Sequence, residues 1–222
     1  MSVLDRVLNW LRELKEKEAP VEVISFYNEL PVRCKVRVLD LDREFVQWES
    51  NPKLLLAVED CGRLYVKFND PAYGQERILG ADVTYRGSSM VETTVPKPYE
   101  DPSFRRETLR VTVSPTLPVK VTFEEPDPPK QELQVRDLSE GGIGVIGPKE
   151  LFKLGDRLKF TLELPFGSFS GEAEVVSVEP FGDKMKYGLK FTQLPRNARS
   201  LLNRYVMARQ REILDKIRMI AE

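Results

Sequence analysis

Apolar residues recur at helical spacing near both ends of the chain. Ser2 can cap a helix that opens the sequence, and Pro20 ends it. Pro195 suits the first turn of a closing helix of about 27 residues. The first apolar stripe contains Leu4, Val7, Leu8, Leu11 and Leu14, and the second contains Leu201, Leu202, Tyr205, Val206, Ile213, Ile217 and Ile220. The closing helix is longer than a small domain needs, so we expect its last turns to pack on the first domain or on another subunit.

Between these helices, short apolar runs alternate with turn dipeptides such as Asn-Pro, Cys-Gly and Arg-Gly. The part from Val21 to Val95 contains RCKVRVLDLD, EFVQWES, LLLAVED, RLYVKFND and ILGADVTYR. The part from Arg105 contains seven further runs, LRVTVS, LPVKVTFEE, KQELQVRDLS, GIGVIG, RLKFTLELP, FSGEAEVVSVEPF and MKYGLKFTQL. Runs of this length, with little helix between them, predict short antiparallel strands. We therefore expect a mainly β protein of two small antiparallel β-barrels, with an N-terminal helix and a long C-terminal helix.

A proline-rich stretch separates the two β-rich parts. VPKPYEDPSF contains three prolines, which remove backbone donors and restrain φ. The sequence thus predicts one domain at 1–95, a semi-rigid hinge linker at 96–104 and a second domain at 105–222.

Composition argues against several functions. The 34 basic residues nearly cancel the 35 acidic ones, so the chain has no global attraction to nucleic acid or acidic membranes. Histidine is absent, and no other spacing suggests a nucleophile with its base or a metal site. Cys34 and Cys61 match no redox spacing and are expected to be reduced thiols. No apolar stretch of about 18 residues and no signal peptide is found, so we predict a cytoplasmic protein without enzymatic activity, cofactor or membrane insertion.

Arginines cluster directly before the first run of the second domain. FRRETLRV places Arg105, Arg106 and Arg110 within six residues. Guanidinium groups bind phosphate bidentately, and they also fork onto the O6 and N7 edge of guanine or stack on its face. A segment that carries several of them can hold a compact purine nucleotide anion.

About thirty residues later, VRDLSEGGIGVIG supplies complementary groups. Asp137 can accept from guanine N–H groups, and Ser139 can brace the turn or donate to phosphate. Gly141 and Gly142 are expected to supply positive φ and a close backbone approach. The same run spells the dinucleotide-binding pattern G-x-G-x-x-G, but Pro148 follows its last glycine and the pattern reads as a strand. We therefore predict no Rossmann site here.

Arg-x-x-x-Arg followed by Asp-x-Ser-x-x-Gly, both in an all-β domain, resembles the PilZ family of bacterial cyclic di-GMP receptors. The matching residues are Arg106 and Arg110 in the first motif, and Asp137, Ser139 and Gly142 in the second. YGLKF is similar to the family's late Gly-x-x-Phe strand, and the resemblance covers roughly residues 104 to 195. The N-terminal half looks like the split-barrel-like domain that precedes PilZ in proteins of the flagellar-brake type, although it has no discriminating motif.

The resemblance implies a ligand, a mechanism and a partner. The implied ligand is cyclic di-GMP, and its implied contacts are Arg105, Arg106, Arg110, Asp137, Ser139, Gly141 and Gly142. The arginine motif would grip phosphate and guanine, while the second motif would surround the other purine on the barrel face. Binding would neutralise the arginine segment and change the orientation of the two domains. The implied target is a protein such as the flagellar motor or the exopolysaccharide machinery, and a homodimer through the C-terminal helix is a further option.

Three alternatives stay open at this point. The domain can be a PilZ-fold interaction scaffold that binds no nucleotide. It can be a small barrel that binds single-stranded nucleic acid through aromatic side chains, although the near-zero net charge argues against this. The N-terminal domain can also be a split-barrel flavin enzyme.

Arg105 generates a prediction about stoichiometry. In the family, an arginine directly before Arg-x-x-x-Arg resembles the pattern that holds a stacked pair of ligands. A third guanidinium can cap four stacked guanines and offset part of their phosphate charge. Calorimetric titration should therefore saturate near two ligands per chain, and Arg105→Leu should lower the number towards one while Arg106 and Arg110 preserve appreciable affinity. A single ligand on the parent, or two on Arg105→Leu, would contradict this role.

Overall fold

The structure, a computed structural model, describes residues 2–100, 104, 108–124 and 133–221. The chain divides into two compact units, one formed by residues 1–106 with 215–222 and the other by residues 107–214. The predicted fold class is confirmed, because the chain is mainly β, with two curled antiparallel sheets, an N-terminal helix and a long C-terminal helix.

The first unit is an antiparallel sheet with two helices. Its elements are α1 (Val3–Glu16), β1 (Val21–Tyr27), β2 (Leu30–Val36), β3 (Val38–Leu41), β4 (Phe45–Glu49), α2 (Pro52–Cys61), β5 (Arg63–Asp70), β6 (Gln75–Arg86), β7 (Met90–Thr94) and β8 (Lys97–Pro98). The described strands follow the order β2-β1-β5-β6-β7-β4-β3, and β8 pairs with β6. No disulfide joins Cys34 and Cys61 in the described chain, and burial raises the pKa of the Cys34 thiol.

Helix α1 begins where the sequence predicts. The Ser2 hydroxyl accepts from the Asp5 N–H at 3.1 Å, and the Asp5 carboxylate accepts from the Ser2 N–H at 3.1 Å, which completes a capping box. Arg6 fixes the helix to β5 by donating from Nε and Nη2 to the buried carboxylate of Asp70, at 2.9 and 3.0 Å. These bonds hold the pKa of Asp70 below its usual value. The buried residues of α1 are Val7, Leu8 and Leu11.

The strand prediction for LLLAVED is wrong, because this run lies in α2. The local signals of a helix surround it. The Asn51 side chain accepts from the Leu54 N–H at 2.9 Å as an N-cap, Pro52 occupies the first turn, and Gly62 ends the helix with a φ of 70°. The buried residues are Leu54, Ala57 and Val58. Their spacing of three and four residues is helical, and a short apolar run does not distinguish it from a strand.

The second unit is a seven-stranded antiparallel sheet with one helix. Its described elements are β9 (Arg110–Thr112), β10 (Lys120–Phe123), β11 (Gln134–Ser139), β12 (Gly142–Gly147), β13 (Arg157–Leu164), β14 (Gly167–Phe181), β15 (Lys184–Gln193) and α3 (Ala198–Ala221), of which residues 215–221 belong to the first unit. The strand order is β10-β13-β14-β15-β12-β11-β9. Each of the seven predicted runs overlaps one of these strands.

Helix α3 is fastened to the strands of the second unit by polar groups as well as by its apolar face. The Tyr205 hydroxyl donates to the Leu117 carbonyl at 2.7 Å, and burial raises the pKa of that hydroxyl to about 12. Arg209 Nε donates to the Thr112 carbonyl at 2.8 Å, and Arg209 also pairs with Glu212 at 3.1 Å. The buried apolar residues of α3 are Ala198, Leu202, Tyr205, Val206 and Ile213. The helix therefore supports β9, the strand on which Arg110 lies.

The described part of the proline-rich stretch is built into the first unit. Lys97–Pro98 pairs with β6 as strand β8. Further along, the Tyr99 ring lies 6.0 Å from the Tyr65 ring, and the Phe104 ring lies 5.0 Å from Tyr65 and 5.5 Å from Phe26. Residues 101–103 lie outside the described chain. Phe104, which directly precedes the arginine cluster, is thus in aromatic contact with the first unit.

Candidate functional site

Two neighbouring strands bring the end of the arginine motif beside the second motif. Strands β9 and β11 pair antiparallel, with Arg110 opposite Ser139 and Thr112 opposite Asp137. The two motifs are far apart in the sequence, yet this register makes them adjacent. Arg105 and Arg106, the other two arginines of the predicted site, lie outside the described residues.

Asp137 is a buried carboxylate that faces two cations. Its side chain is 1% exposed, Lys186 Nζ lies 2.8 Å from Oδ2, and a guanidinium nitrogen of Arg110 lies 3.3 Å from Oδ1. Neither carboxylate oxygen accepts a hydrogen bond of good geometry from the described residues. The two contacts are therefore electrostatic pairs rather than directed bonds. A buried carboxylate with unmet acceptor capacity can bind a ligand that presents N–H donors.

A row of small residues crosses the sheet from Asp137. Gly144 on β12 lies opposite both Asp137 and Gly188 of β15, and Gly188 lies opposite Ser177 of β14. A Cβ on Gly144 would lie 2.6 Å from an Asp137 carboxylate oxygen, and a Cβ on Gly188 would lie 2.3 Å from the Ser177 hydroxyl. Both glycines therefore leave room for the polar side chains beside them.

The turn between β11 and β12 is braced by Ser139. Its hydroxyl donates to the Gly142 carbonyl and accepts from the Gly141 N–H, each at 3.3 Å. The expectation of positive φ at Gly141 and Gly142 is wrong, since neither glycine has it. Gly142 is instead required by the close approach of another strand. A Cβ there would lie 2.3 Å from the backbone oxygen of Leu189.

Helix α3 also contacts this turn. The Asn203 side-chain amide donates to the Glu140 carboxylate at 2.6 Å, and Glu140 lies directly between the residues of the second motif. The Phe191 N–H donates to the Gly141 carbonyl at 3.0 Å. Strand β15 and helix α3 thus hold the turn from two directions.

Lys186, Gly144 and Gly188 are candidate site residues that the sequence analysis missed. A partial signal exists, because Lys186 and Gly188 are two residues apart on one strand and therefore share a face. Nothing in the sequence shows that this face lies beside Asp137, since β15 and β11 are separated by β12.

Two searches of the described part of the chain had negative results. Among residues 2–100, 104, 108–124 and 133–221, no group of three or more cysteine or acidic side chains is arranged to hold a metal ion. None of the helices in these ranges is long and apolar enough to span a bilayer.

Comparison with known proteins identifies the second half of the chain. Residues 104–208 match the PilZ domain, so the predicted resemblance to the PilZ family is confirmed. Two uncharacterized proteins of Aquifex aeolicus (strain VF5) are similar along most of their length. One is 27% identical over 192 residues, covering 84% of this chain and 92% of the relative. The other is 24% identical over an alignment of 236 residues, covering 95% and 96%.

Solved structures share the fold of the whole chain. YcgR of Escherichia coli, in complex with c-di-GMP, superposes with a TM-score of 0.50 at 17% identity, covering 98% of this chain and 95% of that chain. The MrkH–c-di-GMP complex of K. pneumonia superposes with a TM-score of 0.52 at 12% identity, covering 97% of each chain. At these identities the likeness concerns the fold alone.

The adjacent glycines of the braced turn generate a matched prediction. Gly142→Ala should destabilise the protein by about 1–3 kcal/mol, because its Cβ would overlap a backbone oxygen that cannot rotate away. Gly141→Ala is the control, since among the described residues its Cβ would meet only the Thr108 hydroxyl, at an ordinary 3.5 Å. Thermal unfolding measures both. Equal melting temperatures for the two variants would contradict the steric explanation.

Proposed function

We propose that this protein is a cytoplasmic receptor for cyclic di-GMP that binds its ligand without chemical turnover. Its output is a change in the relative orientation of the two units, which is recognised by a target protein of the motility or polysaccharide machinery. The observation that carries the proposal is the buried Asp137 carboxylate, paired with Arg110 and Lys186 but without a directed hydrogen bond from the described residues. The PilZ match supports the ligand class.

The chemistry of guanine fits Asp137. Guanine presents two adjacent N–H donors on its Watson–Crick edge, and a carboxylate can accept both. Adenine presents an acceptor at the corresponding ring nitrogen, which a carboxylate repels. Asp137 therefore selects guanine, and Gly144 beside it leaves room for the carboxylate itself.

Arg110 and Lys186 have different roles in this proposal. Arg110 is 28% exposed and can turn towards a phosphate or the N7 and O6 edge of guanine. Its departure would leave a buried carboxylate without compensation if no second cation were present, which costs several kcal/mol. Lys186, 2.8 Å from Asp137, supplies that second cation. The two cations thus allow one of them to bind ligand while the other remains beside the buried carboxylate.

The arginine motif also links the two units along the chain. Phe104 contacts aromatic rings of the first unit, and Arg110 opens strand β9 of the second unit. The segment between them can span at most about 20 Å. A ligand that binds arginines throughout this segment limits its conformations, and it thereby favours one arrangement of the units over others. We place the pivot after Phe104, because the described residues before it are built into the first unit.

The binding role of Arg110 is tested by substitution. Arg110→Ala should weaken cyclic di-GMP binding about ten- to a hundredfold, because a charge-assisted bidentate contact contributes about 1.5–3 kcal/mol. Arg106→Ala should have a similar effect. Arg157→Ala is the matched control, since Arg157 is an exposed arginine on β13 of the same unit. Calorimetry measures all three. Parent-like affinity in both Arg106→Ala and Arg110→Ala would rule out this binding site.

The orientation change is tested by small-angle X-ray scattering of the full chain. The profile should change when cyclic di-GMP saturates the parent, because the ligand restricts the segment between the units. Arg110→Ala at the same ligand concentration should retain the ligand-free profile. Superimposable parent profiles with and without saturating ligand would mean that this receptor signals in another way.

A further inference from the structure

The exposed face of α3 forms a groove rich in arginine that the ligand site does not use. Together with the turn between β13 and β14, the helix encloses a groove of about 840 Å³. The residues that define this arginine groove are Phe166, Arg196, Arg199, Arg204, Met207 and Arg211. All of them belong to the second unit.

The charge of the groove is unusual for this chain. Residues 195–211 contain five arginines and no acidic residue, although the whole chain has a net charge of −1. Arg209 points to β9, whereas Arg196, Arg199, Arg204 and Arg211 are exposed. Within the described ranges, no acidic side chain pairs with any of these four. Four like charges along one groove repel each other, and an anionic partner would relieve that repulsion.

Apolar side chains lie among the arginines. Met207 is 51% exposed, and the half-buried Phe166 ring lies 4.3 Å from the Arg204 guanidinium, which stacks over it. Arginine, methionine and aromatic residues are enriched at protein–protein interfaces, while lysine is depleted. The groove contains no lysine. This composition fits a protein partner better than a nucleic-acid backbone, which presents no apolar group to cover Met207 and Phe166.

We infer that the arginine groove docks an acidic segment of a partner protein, with Asp or Glu side chains around at least one apolar residue. From its start at Ala198 to Arg211 the helix rises about 20 Å, which matches about four turns of a partner helix. A second copy of this chain does not fit, because a two-fold axis through this face would place arginines against arginines. The inference goes beyond the proposed ligand and does not depend on it.

The test uses a fluorescent peptide about four helical turns long, composed of Glu, Leu and Ala, with Glu and Leu on one face. Fluorescence anisotropy with the full chain should show saturable binding. Reversing two groove charges, in Arg199→Glu with Arg204→Glu, should weaken binding about tenfold or more. The matched control is Arg86→Glu with Lys184→Glu, which reverses two exposed charges elsewhere and should bind like the parent. Replacing every Glu of the peptide by Gln should abolish binding.

Further probes separate the groove from other anion-binding surfaces. Duplex DNA and phosphatidylglycerol vesicles are titrated under the same conditions, and the inference expects weaker binding of both than of the peptide. Preferential binding of either, lost in the groove variant, would assign the groove to that partner class and overturn the inference. Equal peptide binding by groove and control variants, or no peptide binding by the parent, would also overturn it. If the variant with both arginines changed to Glu has a lower melting temperature than the parent, Arg199→Gln with Arg204→Gln replaces it.

Discussion

The candidate site depends on one buried carboxylate held between two cations. Asp137 is 1% exposed, and such a charge is tolerated only with compensation close by. Arg110 and Lys186 provide it from two strands, β9 and β15, that are not neighbours in the sheet. Because the compensation is shared, one cation can exchange its contact for a ligand while the other remains. With a single cation, binding of the ligand by that cation would leave the buried carboxylate without compensation.

The surrounding sheet is arranged to make room for this carboxylate. Gly144 carries no side chain because Asp137 occupies that space, and Gly142 carries none because β15 approaches too closely. Helix α3 then fixes the two strands that carry the motifs. Its Arg209 side chain bonds to β9, and its Asn203 side chain bonds to the β11–β12 turn. The same helix also lines the arginine groove, to which Asn203 contributes as well. One helix thus supports the proposed ligand site and offers a surface to a partner.

Local patterns in the sequence were sufficient for the terminal helices and for the strands of the second unit, because each of these depends on neighbours in the chain. In the first unit, no predicted run covers β1 or β7. The run LLLAVED shows the limit of apolar pattern alone, since the cap at Asn51 and the left-handed Gly62 decide for a helix. Lys186 could not be predicted, because its role follows from a register across three strands. The reason for Gly142 also differs from its expected positive φ, because only the folded sheet brings Leu189 close to it. Non-local pairing therefore accounts for most of what the sequence could not show.

The central claim is that the Asp137 carboxylate recognises guanine. Its most direct test is a calorimetric comparison of cyclic di-GMP with cyclic di-AMP on the parent protein and on Asp137→Ala. The account predicts that the parent prefers cyclic di-GMP by about tenfold or more, because a buried polar group left unpaired costs about 1–3 kcal/mol. It also predicts that Asp137→Ala loses most of this preference. Equal affinity of the parent for the two ligands, or an unchanged preference in Asp137→Ala, would contradict it.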